Sequence, residues 1–323
     1  MSKKRRPSKL QQRRKLEVRL RRTGRFDPSP PGLLELDRFS DMDVEEWVRF
    51  ATDFQAYHYQ WFFELEAQRA ASAERIREAL TAVRPITVDL EGWGRVLAWR
   101  YTNAPLSAVG SLTWVGGRFN YGIDIDGGNR FAAFPALYLA SSFETGLKEM
   151  LGQPPSRLSG LSRADLALCD ETSFSWVTVA GTVNNVFDLT KPSSLAAFTQ
   201  VIREFRLSDR VRELQKRVRP QHPLRLVRTP TELLESIMVT NWRELPVQCD
   251  TPANSQVIGR LVADSGYDGI LYRSTKTGER NLAVFTRNLA HSDSVIRVAP
   301  EPPAQVRLRQ LDASNYGDAE RVD

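Results

Sequence analysis

Residues 136–151 read Ala136-Leu137-Tyr138-Leu139-Ala140-Ser141-Ser142-Phe143-Glu144-Thr145-Gly146-Leu147-Lys148-Glu149-Met150-Leu151. The first five are apolar or aromatic and too few for a helix, so they read as a buried strand. Ser141-Ser142 then offers N-cap hydroxyls, and Glu144 puts a negative charge in the first turn of a helix running to about Leu151. Upstream, Val96 to Trp99 is a short apolar run that reads as a strand ending at Arg100-Tyr101. Downstream, residues 175–189 read as strands broken at Asn184-Asn185. Residues 194–218 read as one long helix, 231–239 as a shorter one behind Pro230, and 253–265 as another. Ile270 to Tyr272 and Leu282 to Phe285 read as two strands joined through Lys276-Thr277-Gly278-Glu279, and Val295 to Val298 as an edge strand. These elements do not alternate as regular βα units. The expected class is therefore α+β, a mixed β core with a helical N-terminal region and a helical insertion at about 190–245.

The N-terminal part differs in texture. Asp43 with Glu46 reads as a capping box. Behind it, Trp47, Phe50, Phe54, Tyr57 and Trp61 recur at helical steps and form one aromatic face. Mixed neighbours such as Asp53 and Glu64 favour packing, on the body or on a second copy, over base stacking. A charged amphipathic helix covers 72–83 and stops before Pro85. Asp-Pro-Ser-Pro-Pro-Gly at 27–32 is a punctuated linker. The expected division is a basic arm and linker at 1–32, a helical region at 33–89, the core domain with its insertion at 90–299, and a polar, loosely ordered tail at 300–323.

The net charge of +6 divides unevenly. Residues 1–25 hold 12 Lys or Arg and one acid, Glu17, which gives +11, so the rest of the chain is at −5. The basicity belongs to the arm, which reads first as a disordered, solubilising segment and otherwise as a non-specific contact for nucleic acid, anionic lipid or an acidic partner. Cys169 and Cys249 match no disulfide framework, and His58, His222 and His291 are too scattered for the common zinc patterns. His58 reads as structural or exposed. No apolar run reaches the length of a membrane span, and no apolar segment follows the basic N-terminus, so a cytoplasmic protein is expected.

Several residues offer chemistry. Arg100 and Arg118 carry planar donor forks suited to phosphate, and glycines flank Arg118 in Gly116-Gly117-Arg118-Phe119-Asn120; pairing with a carboxylate or a carbonyl is the ordinary alternative. Neither a complete phosphate-binding loop nor a dinucleotide fingerprint is present. Tyr138 serves either the core or a ligand ring. Glu144 lies four residues before Lys148 and is explained by a surface ion pair. Glu149 points about 140° away from Glu144 on the helical wheel, so the two form no dyad. It faces either solvent or a cleft. Ser274 lacks the setting of a nucleophile and reads as a hydroxyl for a phosphate or sugar, or as a turn cap.

The combined string is more specific than its pieces. Trp99-Arg100-Tyr101, Gly116 to Asn120, Leu137 to Ser141 with Glu144-Thr145 and Glu149 precede a late block. That block holds Gln256, Gly259, Gly266-Tyr267-Asp268-Gly269-Ile270, Tyr272, Ser274, Gly278, Asn281-Leu282 and Phe285. Over roughly 90–290 the chain resembles the RES-domain family, named for an arginine, a glutamate and a serine. The resemblance implies an ADP-ribosyltransferase-like fold and consumption of NAD, in some members by phosphorolysis. It also implies a toxin paired with a small helix-turn-helix antitoxin. It puts the arginine on Arg100, with Tyr101 beside it, the aromatic group on Tyr138, the glutamate on Glu149 and the serine on Ser274. Glu149 is preferred to Glu144 because the family glutamate follows a small-residue helical turn, represented here by Gly146.

Carried over, Arg100 would lie near the NAD diphosphate, with Arg118 a second phosphate contact. Tyr101 and Tyr138 would hold the nicotinamide-ribose end, Glu149 would stabilise positive charge on the ribose, and Ser274 would orient phosphate or ribose. NAD is then a substrate and inorganic phosphate a co-substrate, with no cofactor or metal required. The gap of 125 positions from Glu149 to Ser274 and the extra residues 1–89 depart from a minimal domain and reshape any antitoxin surface. Competing readings are NAD hydrolysis, ADP-ribosyl transfer to a macromolecule, and a non-enzymatic nucleic-acid-binding protein that uses the arm.

Deleting residues 1–25 should abolish salt-sensitive nucleic-acid binding. In a filter-binding titration, the intact chain should lose affinity steeply between 50 and 200 mM salt. Unchanged binding by the shortened chain would place the nucleic-acid surface on the body.

Overall fold

The computed structural model describes residues 41–125, 131–151, 174–220 and 224–321. The basic arm and linker, the Asp126–Asn129 turn, Cys169 and His222 lie outside them. The chain divides into two units, residues 1–51 and 52–323.

Helix α1 spans Asp41–Ala71 and crosses that division. It begins at Asp41, so Asp43 and Glu46 sit inside its first turns and not at its cap. In the first unit, Trp47, Val48 and Phe50 are exposed. In the second, Tyr57 is fully buried with Val211, Leu214 and Val218, and Phe54 and Trp61 pack beside them. The expected aromatic face is thus buried only in its later part. His58 is structural: it is buried between the rings of Phe54 and Tyr57. Helix α2, Ala73–Thr81, buries Ile76 and Leu80 one turn apart and ends before Pro85, as its sequence pattern requires.

The sheet has eight strands: β1 (Ile86–Asp89), β2 (Gly94–Ala98), β3 (Leu137–Ala140), β4 (Phe174–Asp188), β5 (Gly269–Arg273), β6 (Arg280–Val284), β7 (Val295–Val298) and β8 (Gln310–Leu311). Its order is β2-β3-β6-β5-β4-β7-β8, and β4 also pairs with β1 and β2. The path β4-β2-β3-β6-β5 therefore returns to β4 and closes a ring. β4 and β5 are parallel and the other pairs antiparallel. Closure passes through Gly94, which pairs with Ala140 on one side and Thr178 on the other. A Cβ there would come within 2.6 Å of the Val177 carbonyl, so this junction needs glycine.

β4 runs unbroken for 15 residues, where a break at Asn184-Asn185 was expected. Tertiary partners override the turn preference of the asparagines. The Asn184 N–H donates to Ser294 Oγ at 2.8 Å, the Asn185 carbonyl accepts the Asp268 N–H at 2.7 Å, and the Asn185 amide donates to the Gly266 carbonyl at 2.8 Å. β7 is not an edge strand, because β8 pairs along its outer side. The tail after residue 300 is also more ordered than its composition suggests: Leu308, Leu311 and Ala319 are buried in the core on that face.

Helix α3 spans Phe143–Leu151. The insertion carries α4 (Ala196–Ile202), α5 (Asp209–Val218), α6 (Pro230–Ile237) and α7 (Glu244–Cys249), followed by α8 (Asn254–Asp264). The single helix expected over 194–218 is split because Phe205 turns into the core. The carbonyls of Arg203 and Phe205, freed by that turn, accept from the Arg228 guanidinium. α6 starts on a capping box in which Thr229 accepts from the Glu232 N–H and Glu232 from the Thr229 N–H. α2, α4, α6 and α8 cover one face of the sheet through Leu80, Phe198, Leu233 and Ile258. The architecture is α+β: N-terminal helices, a mixed β core and a helical insertion, the arrangement expected of an ADP-ribosyltransferase-like chain.

Burial holds the His58 pKa at about 4, below its usual 6.5. The unfolded chain binds the proton first, so His58 favours the fold above pH 6.5 and loses that contribution as the pH falls toward 4. Between pH 7 and 5 the loss should be about 2 kcal/mol. Urea unfolding at both pH values should show a smaller difference in H58F; an equal difference would assign the acid sensitivity elsewhere.

Candidate active site

Two short elements meet end to end. β3 leads into α3, and the β5–β6 hairpin lies alongside, with β3 paired to β6 from Leu137↔Val284 to Ala140↔Asn281. The hairpin tip is latched to the start of α3. Thr145 Oγ1 donates to Glu279 Oε2 at 2.6 Å and lies 2.9 Å from Thr277 Oγ1, and the Ser142 hydroxyl donates to the same carboxylate. These contacts hold the Glu279 carboxyl below the usual range, the Ser142 and Thr145 hydroxyls being the main cause.

That latch sets the spacing of the pair one turn further on. Ser274 Oγ donates to Glu149 Oε1 at 2.6 Å, and Asn281 Nδ2 donates to the same oxygen at 3.2 Å. Among the described residues, neither donor reaches Oε2. Ser274 is buried and Glu149 half-buried. The Ser274 hydroxyl also accepts the N–H groups of Lys276 and Thr277, at 3.1 and 3.3 Å. It therefore caps the hairpin turn and binds the carboxylate at once. Glu144 is exposed and pairs with Lys148 at 2.5 Å, as its spacing suggests.

Tyr138 lies on β3, and its hydroxyl is committed to the glycine loop. It accepts the Phe119 N–H at 2.9 Å and donates to Asn120 Oδ1 at 2.8 Å. Asn120 is fully buried; its Oδ1 accepts the Gly117 N–H and its amide donates to the carbonyls of Ser111 and Phe134. A Cβ on Gly117 would fall 2.3 Å from the Tyr138 hydroxyl, so glycine alone permits this approach. Gln256 of α8 closes the loop from below, donating to the carbonyls of Val115, Gly117 and Asn120. Burial drives the Tyr138 and Tyr272 phenols far above their usual range, Tyr272 further under the Glu149 charge, so both remain neutral.

Arg118 is buried. Its Nη1 donates to the Val239 carbonyl at 2.9 Å and the Ile237 carbonyl at 3.4 Å, and Nη2 donates to Thr275 Oγ1 at 3.3 Å. Burial lowers its pKa, while Tyr272, Glu149 and Tyr138 act in the opposite direction. Glu149, Ser274, Tyr138 and Arg118 thus share one locality. Arg100 and Tyr101 stand apart in a short 3-10 turn after β2. Both are exposed, with the Arg100 guanidinium 4.9 Å from the Tyr101 ring centroid. Among the described residues, no hydrogen bond or ion pair links either of them to Glu149.

Five site neighbours had no role from sequence: Thr275, Tyr272, Asn281, Trp242 and Arg243. Tyr272 and Asn281 belong to the late motif, so their signal was present without a geometry. Thr275 lies beside Ser274 but carries no pattern of its own. Trp242 and Arg243 lie in the insertion and carry no local signal.

The RES domain family matches residues 92–307. The chain belongs to the RES-domain family. Glu149, Tyr138, Arg118 and Ser274 all fall inside the matched RES domain. Among solved structures, the fold is similar to the M. tuberculosis MbcT–MbcA toxin–antitoxin complex. The identity is 18% and the TM-score 0.36, over 76% of this chain and 97% of that one. No curated protein matches the sequence. Among the described residues, no group of three or more His, Cys, Asp or Glu could hold a metal ion, and no helix is long and apolar enough to cross a membrane.

The Tyr138 hydroxyl is the joint between β3 and the glycine loop. Y138F should leave the Phe119 N–H without an acceptor and lower unfolding free energy by about 1–3 kcal/mol. Urea denaturation checks this; a loss below about 0.5 kcal/mol would show that the loop does not depend on that hydroxyl.

Proposed function

We propose that the chain is an NAD phosphorylase. It cleaves NAD with inorganic phosphate to nicotinamide and ADP-ribose 1″-phosphate. It acts in the cytoplasm as the toxin of a toxin–antitoxin pair, with a small helix-turn-helix protein as antitoxin. The observation that carries this reading is the half-tethered carboxylate of Glu149. Its Oε1 is fixed by Ser274 and Asn281, both neutral donors, and among the described residues Oε2 has no donor and is offered to a ligand. Among the described residues no cation forms an ion pair with Glu149; Arg118 and Arg243 act on it from beyond ion-pair distance, and its charge is available to positive charge developing on a substrate.

The chemistry follows from that placement. Oε2 accepts a hydroxyl of the nicotinamide ribose and sits near its C1″. As the C1″–N bond breaks, its electron pair passes to the nicotinamide ring and neutralises the pyridinium. The ribose gains oxocarbenium character, which the fixed negative charge stabilises. A phosphate oxygen then forms the new bond to C1″, and the proton carried by that phosphate leaves as the product ionises. No protein nucleophile is needed. Ser274 holds Glu149 in its rotamer, its one proton and its lone pairs being taken by the carboxylate and by the hairpin N–H groups. Tyr138 offers its ring, since its hydroxyl is occupied. Arg100 and Tyr101, exposed beyond β2, are offered to the diphosphate and the nicotinamide-ribose end, as membership of the family implies.

E149Q keeps an acceptor for Ser274 and Asn281 and should remain folded. Its nicotinamide release from NAD should fall by about 10²-fold or more. Chromatographic assay of nicotinamide with equal amounts of wild type and E149Q checks this. Full activity in E149Q would remove Glu149 from the mechanism.

A further inference from the structure

The insertion brings a second cation to the site. Trp242 lies between α6 and α7 and is buried, 6% exposed. Its indole carries two guanidinium groups: Arg243 at 4.4 Å from the ring centroid and Arg118 at 5.7 Å. The two arginines are used differently. Arg118 commits its donors to the carbonyls of Ile237 and Val239 and to Thr275, which ties the insertion to the β5–β6 hairpin. Arg243 is exposed, and among the described residues its guanidinium makes no hydrogen bond and no ion pair, while its carbonyl accepts the Val247 N–H of α7. Stacking on the indole fixes the plane of its fork while its N–H edges remain open.

Electrostatics give this arrangement a direction. Glu149 and Tyr138 act on Arg243, and Arg243 in turn acts on Arg118 as a like charge. Two guanidiniums share the locality with one carboxylate, and Tyr138 and Tyr272 are neutral. Those three groups together leave one positive charge in excess. An anion between Arg243 and Glu149's neighbours would relieve that repulsion and take up the open donors.

We propose that Arg243, presented by the insertion on the Trp242 ring, is a phosphate-binding residue of the active site, and that Arg118 is the positioning residue that holds the insertion in place. The ligand is a phosphate group, either inorganic phosphate or the diphosphate of the dinucleotide; that choice rests on the NAD reading, while the anion site does not. Arg118 then serves phosphate indirectly, and the insertion is a working part of the cleft.

The test uses the full chain as wild type, R243Q and R243K. Calorimetric titration with inorganic phosphate and with pyrophosphate measures the anion site, and KM values for NAD and phosphate measure its use. R243Q should bind at least one anion tenfold more weakly or worse, with an unchanged melting temperature. R243K should fall between, because it keeps the charge without the fork. Weaker pyrophosphate binding with a raised KM for NAD assigns the diphosphate. Weaker phosphate binding with a raised KM for phosphate alone assigns the co-substrate. Loss of anion binding in R243Q from a protein that does not cleave NAD would sustain the anion site and sink the phosphorylase reading. Anion affinities and KM values equal to wild type in R243Q would overturn the proposal. So would a wild-type chain that binds neither anion.

Discussion

One carboxylate oxygen shared between an alcohol and an amide is the contact on which the rest depends. Glu149 Oε1 receives Ser274 from one arm of the β5–β6 hairpin and Asn281 from the other, both beside its turn. Neutral donors fix the side chain without cancelling its charge, which a salt bridge would do. For both donors to arrive together, α3 and the hairpin must hold a constant separation. The hydroxyl cluster of Ser142, Thr145 and Thr277 around Glu279 supplies that constancy one turn away. The ring of strands through Gly94 carries both elements on one continuous backbone network.

A second constraint shapes the opposite wall. The glycine loop is irregular backbone inside the body, so each of its polar groups needs a partner. Asn120, Gln256 and the Tyr138 hydroxyl provide them, which explains why these three polar groups are buried where apolar ones would pack more cheaply. Arg118 leaves the same loop in the direction of the insertion. The loop therefore couples β3 to residues more than a hundred positions away.

Much of this was legible locally. The β3–α3 step, the hairpin and α8 follow from periodicity, caps and turn residues, because their partners lie within a few positions. The failures share one cause. The asparagines in β4, the split before α5 and the packed tail are set by distant contacts: Ser294 and Asp268 for the first, the burial of Phe205 for the second, and the burial of Leu308 and Leu311 for the third. Helix α7 escaped notice because it is six residues long and contains Pro246. In the site, spacing separated Glu149 from Glu144, and the structure puts Glu144 on Lys148. That Glu149 meets Ser274 across 125 positions has no local signal; only the ordered family motifs aligned the two. For Arg118 the sequence left two readings, and the carbonyl-bound one is the one realised.

The source of the oxygen that ends on C1″ separates phosphorolysis from hydrolysis. NAD, inorganic phosphate and the full chain would be incubated in ¹⁸O-labelled water and the products resolved by mass. Phosphorolysis gives nicotinamide and unlabelled ADP-ribose 1″-phosphate, formed only when phosphate is present. Free ADP-ribose carrying one ¹⁸O, formed at the same rate without phosphate, would contradict it.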